Sequence, residues 1–174
     1  MIPQNQRANL IAATTALYIA FILLGLTTAV TGPTLPELAN RTSSRIDQIS
    51  LIFITGSLGY LIGSWLGGRA YDRLPGNRII PASLILLAVA TALIPFATQL
   101  IFLTLAFLVL GFAQGVMDVG GNTLLIWHHG AGVSPFMNGL HFFFGVGALL
   151  SPIIVAKIFS FTGDINWIFW AFSI

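Results

Sequence analysis

The chain has 174 residues, of which 56% are hydrophobic and only 7% charged, with a formal charge of +2. A water-soluble domain carries roughly a quarter charged residues, so much of this surface must meet lipid. The absence of cysteine excludes a disulfide framework, a thiolate metal site and a thiol nucleophile, and so few charges leave no electrostatic footprint for nucleic acid.

The first apolar run, Leu10 to Thr31, holds about 22 residues without a charge, enough to cross ~30 Å of hydrocarbon. It exceeds the roughly 7–15 residues of a signal-peptide core, so a retained span is predicted over 10–31. Gly32-Pro33-Thr34-Leu35-Pro36 is expected to stop that helix, because proline lacks the donor that propagation needs. A polar loop with Glu37, Arg41, Arg45 and Asp47 should follow. The second span is predicted over 48–68. Its Gly56, Gly59, Gly63 and Gly67 form a small-residue ridge that lets a neighbouring backbone come close.

GRAYDRLPGNR, from Gly68 to Arg78, is the most charged segment and is expected to be a loop. The uncharged run from Ile79 to Met117 would make a helix of about 58 Å, nearly two bilayers thick, so it must fold back. Pro95 with Thr98 and Gln99 is the turn signal there, giving spans over 79–97 and 100–126. A fifth span is predicted over 136–156, then a loop from Lys157 to Asp164. An apolar stretch over 165–174 covers only about 15 Å, an incomplete sixth span. The pattern predicts an all-α membrane protein, a single bundle over 1–174 with five transmembrane helices and part of another.

Loop charge sets the expected orientation. Arg7, Arg69, Arg73 and Arg78 fall on one side; Arg41, Arg45 and Lys157 fall on the other. The density of the 68–78 segment puts the N-terminus in the cytoplasm of a cell (inner) membrane protein.

Asp118 is the only charged side chain between Ile79 and Ala156. Such a charge costs about 2.5–3.5 kcal/mol even on insertion scales, and points to a cavity, a partner or a moving ion. Gln114, Asp118 and Asn122 follow i, i+4, i+8 spacing and share one helix face. The fifth span adds Asn138 and His141 at i, i+3. Amides can grip the hydroxyls of a sugar or another small polar solute, and Asp118 would be the coupling group. A carboxylate in an apolar site can take up a proton when water leaves; sodium coordination is the second option. His141 can assist, since imidazole changes charge near neutral pH. The competing reading has Asp118 bonded to Asn138, His141 or broken backbone, merely pinning two helices together.

His128-His129 is an interfacial pair rather than a metal site, because adjacent helical residues point about 100° apart. The chain offers no nucleophile–base–orienter set and no phosphate loop, so an enzyme is not expected, nor any metal or organic cofactor. The only added species expected is the coupling ion, H+ or Na+.

The segment Gly68-Arg69-Ala70-Tyr71-Asp72-Arg73-Leu74-Pro75-Gly76-Asn77-Arg78 resembles the signature loop between helices 2 and 3 of the major facilitator superfamily. That pattern has a glycine, an acid four residues on, an adjacent base, a second glycine and more bases. Here Leu74-Pro75 widens the usual one-residue gap before the second glycine to two. GPTLPELA, DVGGNTLLIWHHG and PFMNGLHFFFGVGALLSP are similar to the fucose-permease and sodium-dependent-glucose-transporter branch.

The resemblance implies the N-terminal helical bundle of that fold, built of two six-helix halves with the solute between them. It also implies that Asp118 is the helix-4 acid that couples sugar to a cation. Gly68, Asp72, Arg73, Gly76 and Arg78 would form a cytoplasmic gate loop, its acid docking on a helix of the second half. Gly147 to Pro152 does not reproduce the exporter Gly-Pro motif, which favours import. The expected partners are lipid, a small polar solute and either a C-terminal half or a second subunit. A truncated or half-size membrane protein without transport of its own is the alternative.

Overall fold

The computed structural model describes residues 4–173, and side chains from residue 8 onward. The Arg7 side chain and Ile174, which figure in the orientation and in the partial sixth span, lie outside that description. The helices run in the order α1 (Gln4–Ala29), α2 (Thr31–Arg41), α3 (Ile46–Ile49), α4 (Leu51–Tyr71), α5 (Gly76–Leu93), α6 (Leu100–His129), α7 (Ser134–Thr162) and α8 (Asn166–Phe172). Among the described residues, five segments are long and apolar enough to cross a membrane: Ala8–Ala29, Ile46–Tyr71, Gly76–Phe96, Leu100–Gly132 and Ser134–Thr162. The reversal between α5 and α6 is a 3-10 turn at Ile94–Phe96, with Pro95 in its first two positions.

Several boundaries differ from the sequence expectation. Pro33 and Pro36 do not end the first helical stretch. The backbone stays helical at Val30 (φ −61°, ψ −29°), and the Thr34 amide donates to the Val30 carbonyl at 3.3 Å. Pro33 falls in the first turn of α2, and Pro36 deprives only the Gly32 carbonyl of its helical donor. Glu37 and Arg41 therefore sit on a helix, and the connection shrinks to 42–45. The expected 68–78 loop shrinks likewise to 72–75, because α4 continues through Tyr71 and α5 begins at Gly76.

Lys157 does not open a loop either; α7 runs on to Thr162. An exposed lysine has good helix propensity, and the stop comes at Gly163. Its left-handed φ of 67° ends the helix, and its amide donates to the Phe159 carbonyl at 2.8 Å.

The bundle is organised around α1 and α6. Leu17, Phe21 and Leu24 of α1 and Leu103, Met117 and Leu125 of α6 are buried in the common core. α7 packs on α1, while α4 and α5 flank α6. The glycine ridge of α4 is what joins it to α6. A Cβ at Gly59 or Gly63 would collide with the carbonyls of Leu108 and Phe112, and one at Gly111 or Gly115 with those of Gly56 and Tyr60. The order of these contacts makes the two helices parallel. α1 and α7 form a similar seam, where Gly25 meets the Phe144 carbonyl and Gly147 the Ile22 carbonyl. Without a hydrophobic force between helices in lipid, close backbone packing of this kind is what holds them.

One rim is tied by Arg41. Its guanidinium donates to Asp164 Oδ1 at 3.2 Å, to the Pro95 carbonyl at 3.1 Å and to Asn166 Oδ1. A single side chain from α2 thus joins the α5–α6 turn to the α7–α8 connection.

Candidate solute and ion site

Asp118 lies in the C-terminal half of α6, half-buried. Tyr60 Oη of α4 donates to Asp118 Oδ2 at 2.6 Å. Asn122 Nδ2, one turn along α6, donates to the Asp118 main-chain oxygen at 2.8 Å and to Oδ1 at 3.3 Å. Both carboxylate oxygens therefore accept a hydrogen bond.

The carboxylate borders a cleft of about 290 Å³ between α1, α4, α6 and α7. Gln114 and His141 line it too, with Phe21, Thr28 and Tyr60. A second cleft of about 270 Å³ adjoins it, where Thr31, Ser57 and Phe53 join the same Thr28, Tyr60 and Gln114. The Thr28 hydroxyl donates to the Leu24 carbonyl at 2.7 Å, which leaves its oxygen as an acceptor towards the cleft. Gln114 has no hydrogen-bond partner among the described residues and so keeps its donors and acceptor for a ligand.

The structure brings Gln114, Asp118 and His141 to one cleft. Asn122 serves instead as an intrahelical brace for Asp118 and does not line it. Asn138 is exposed, outside both clefts, and makes no hydrogen bond among the described residues. Neither Asn138 nor His141 bonds Asp118, so in place of the partners named in the competing reading Asp118 has Tyr60 and Asn122. His141 meets Phe21 edge-on, with ring centroids 6.4 Å apart. Tyr60 and Thr28 went unread in the sequence. The available signal for Tyr60 was its place beside Gly59, in mid-span, on a ridge that brings the neighbouring helix into reach.

The charged turn has a different character. Asp72 caps the C-terminal end of α4; Asp72, Arg73 and Arg78 are exposed and form no ion pair among the described residues. Gly76 is buried, and a Cβ there would meet the Leu124 side chain of α6, while Gly68 has open space around it. Arg69 stacks over the Trp65 ring at 3.8 Å. The histidine pair is split: His128 is exposed, while His129 Nε2 lies 2.9 Å from Thr14 Oγ1 and its ring stacks on Phe136. Thr14 already donates to the Leu10 carbonyl at 2.9 Å, so the Thr14–His129 bond runs from Nε2–H to the hydroxyl oxygen.

Five apolar spans, two pairs of them joined by glycine seams, packed around a cleft that holds a carboxylate, define an integral membrane protein. The family model of the Major Facilitator Superfamily matches residues 17–174, and the chain belongs to that family. Among curated relatives, it is 36% identical over 138 residues to a Mus musculus protein named sodium-dependent glucose transporter 1A, an alignment covering 79% of this chain and 32% of that one. It is 36% identical over 135 residues to a Homo sapiens protein named sodium-dependent glucose transporter 1, covering 78% and 26%. It is 33% identical over 143 residues to major facilitator superfamily domain-containing protein 4A of Danio rerio, covering 82% and 27%. The chain therefore spans about a quarter to a third of the length of these relatives.

Proposed function

We propose that the chain forms the first bundle of a transporter that moves a sugar across a cell membrane by cation-coupled alternating access, with its N-terminus cytoplasmic. The observation that carries this reading is Asp118. It is a solitary carboxylate within a span, held by two donors, at the edge of a cleft that also offers Gln114, which has no hydrogen-bond partner among the described residues. Lone acids at membrane depth mark ion and solute paths. The names of the relatives add sugar as the solute and favour sodium over a proton as the driving ion.

Asp118 ligates the cation. Gln114 and Thr28 take up solute hydroxyls, and His141 faces the same space from α7. The 72–75 turn, with Asp72 and Arg73, and Arg78 in the first turn of α5, all without an ion pair among the described residues, form the gate edge that meets a second bundle.

The test is labelled-hexose uptake into proteoliposomes that hold the chain together with a complementary second bundle, under an imposed sodium or proton gradient. Asp118→Asn should lower gradient-driven accumulation by about tenfold or more while sparing exchange at equal cation concentration. Normal accumulation by the Asn variant would remove Asp118 from the coupling role.

A further inference from the structure

Tyr60 is the side chain that both bonds Asp118 from another helix and lines the two clefts. Its hydroxyl has one proton, and Asp118 Oδ2 holds it. The residue is 41% exposed and borders both clefts, so its side chain has room to turn. Its backbone has none, because the Tyr60 carbonyl presses on Gly115 in the α4–α6 seam. The residue is therefore a fixed pivot carrying a single movable donor between a carboxylate and a solute space.

We propose that Tyr60 is a shared-donor switch: its O–H holds Asp118 while the cation is absent, and turns to a hydroxyl oxygen of the solute when the cation takes the carboxylate. This rests on Asp118 as the cation ligand and adds the link between ion and solute. A cation on Oδ2 displaces the hydroxyl. Once a second bundle closes the cleft, the freed donor lies between large apolar walls, where an unmade hydrogen bond is costly. A polyhydroxy solute beside Gln114 and Thr28 offers the acceptor that restores it. By linkage, the solute then favours the cation as much as the cation favours the solute. Asn122 holds the other oxygen but lines neither cleft, so it steadies the carboxylate without taking part in the exchange.

The experiment follows modification of Asp118 by a hydrophobic carbodiimide, read by peptide mass, in the chain co-reconstituted with a complementary bundle in sodium-free lipid vesicles, with and without D-glucose. In the parent, Tyr60 shields the carboxyl and labelling is slow; glucose draws Tyr60 away and speeds it several-fold. Tyr60→Phe should label fast from the outset and ignore glucose, with an unchanged melting temperature. Asn122→Ala should also label faster but keep its glucose response, which separates a switch from a brace. Labelling of Tyr60→Phe at the parent rate, an equal glucose response in both, or bound labelled glucose that leaves the parent rate unchanged would overturn the switch. Absence of glucose binding sinks the sugar reading instead, and the glucose-free comparison of Tyr60→Phe with the parent still decides whether Tyr60 holds the carboxylate.

Discussion

Asp118 and Arg41 illustrate two ways a lone charge is kept in this chain. Asp118 is stabilised by neutral donors and stays half-exposed to a cleft, so it remains able to exchange partners. Arg41 is enclosed, with 18% of its side chain exposed against 41% for Asp164, and its three acceptors come from three segments. Removing it leaves the Asp164 carboxylate without its cation and the Pro95 carbonyl without this donor. Arg41→Ala should therefore lower stability by about 1–2 kcal/mol after discounting for the partly solvated acid. A melting curve in lipid nanodiscs measures this, and Asp164→Asn should cost less because the Asn166 and Pro95 contacts survive. The Asp118 substitution, by contrast, should leave melting nearly unchanged while altering transport.

At the scale of helices, the seams decide geometry. Gly115→Ala forces the Tyr60 carbonyl away, and backbone cannot yield as a side chain can. The expected cost is about 1–3 kcal/mol, with faster carbodiimide labelling of Asp118 as Tyr60 is pushed out of reach. Gly76→Ala should be milder, since its new methyl meets only the far end of the Leu124 side chain. Gly145→Ala should be silent in both assays, because nothing lies within 4 Å of its added Cβ. Measuring the three together separates close packing from any general effect of replacing glycine. The ridge 56-59-63-67 was legible in the sequence from its spacing. Its partner was not, because spacing names a face and not the helix that lies against it.

For the whole molecule, the least covered spans are α4 and α7. Leu61, Trp65, Leu149 and Ile153 are among their exposed large side chains. Those two helices also contribute Tyr60 and His141 to the cleft, so whatever covers them closes the site. The proposed cover is a second bundle related by an axis along the membrane normal. The chain reconstituted alone should then show no gradient-driven hexose uptake, and co-reconstitution with a complementary bundle should restore it. Full uptake by the chain alone would show that copies of this chain suffice.

The sequence by itself determined the class, the number of crossings and the outlier Asp118, because apolar length and isolated charge are properties of the chain read one residue at a time. It also placed Gln114 and Asp118 on one face, since helical period alone fixes that. It misjudged where helices end at Pro33, Pro36 and Lys157. Pro33 in a first turn and an exposed lysine cost a helix little, Pro36 costs α2 just the donor to the Gly32 carbonyl, and α7 stops at Gly163, with its left-handed backbone. The tertiary structure alone decided Asp118's partners. It chose Tyr60 over Asn138 because glycine contacts set α4 against α6 with their backbones touching. A hydrogen bond between helices depends on that distance, which no spacing along one helix contains.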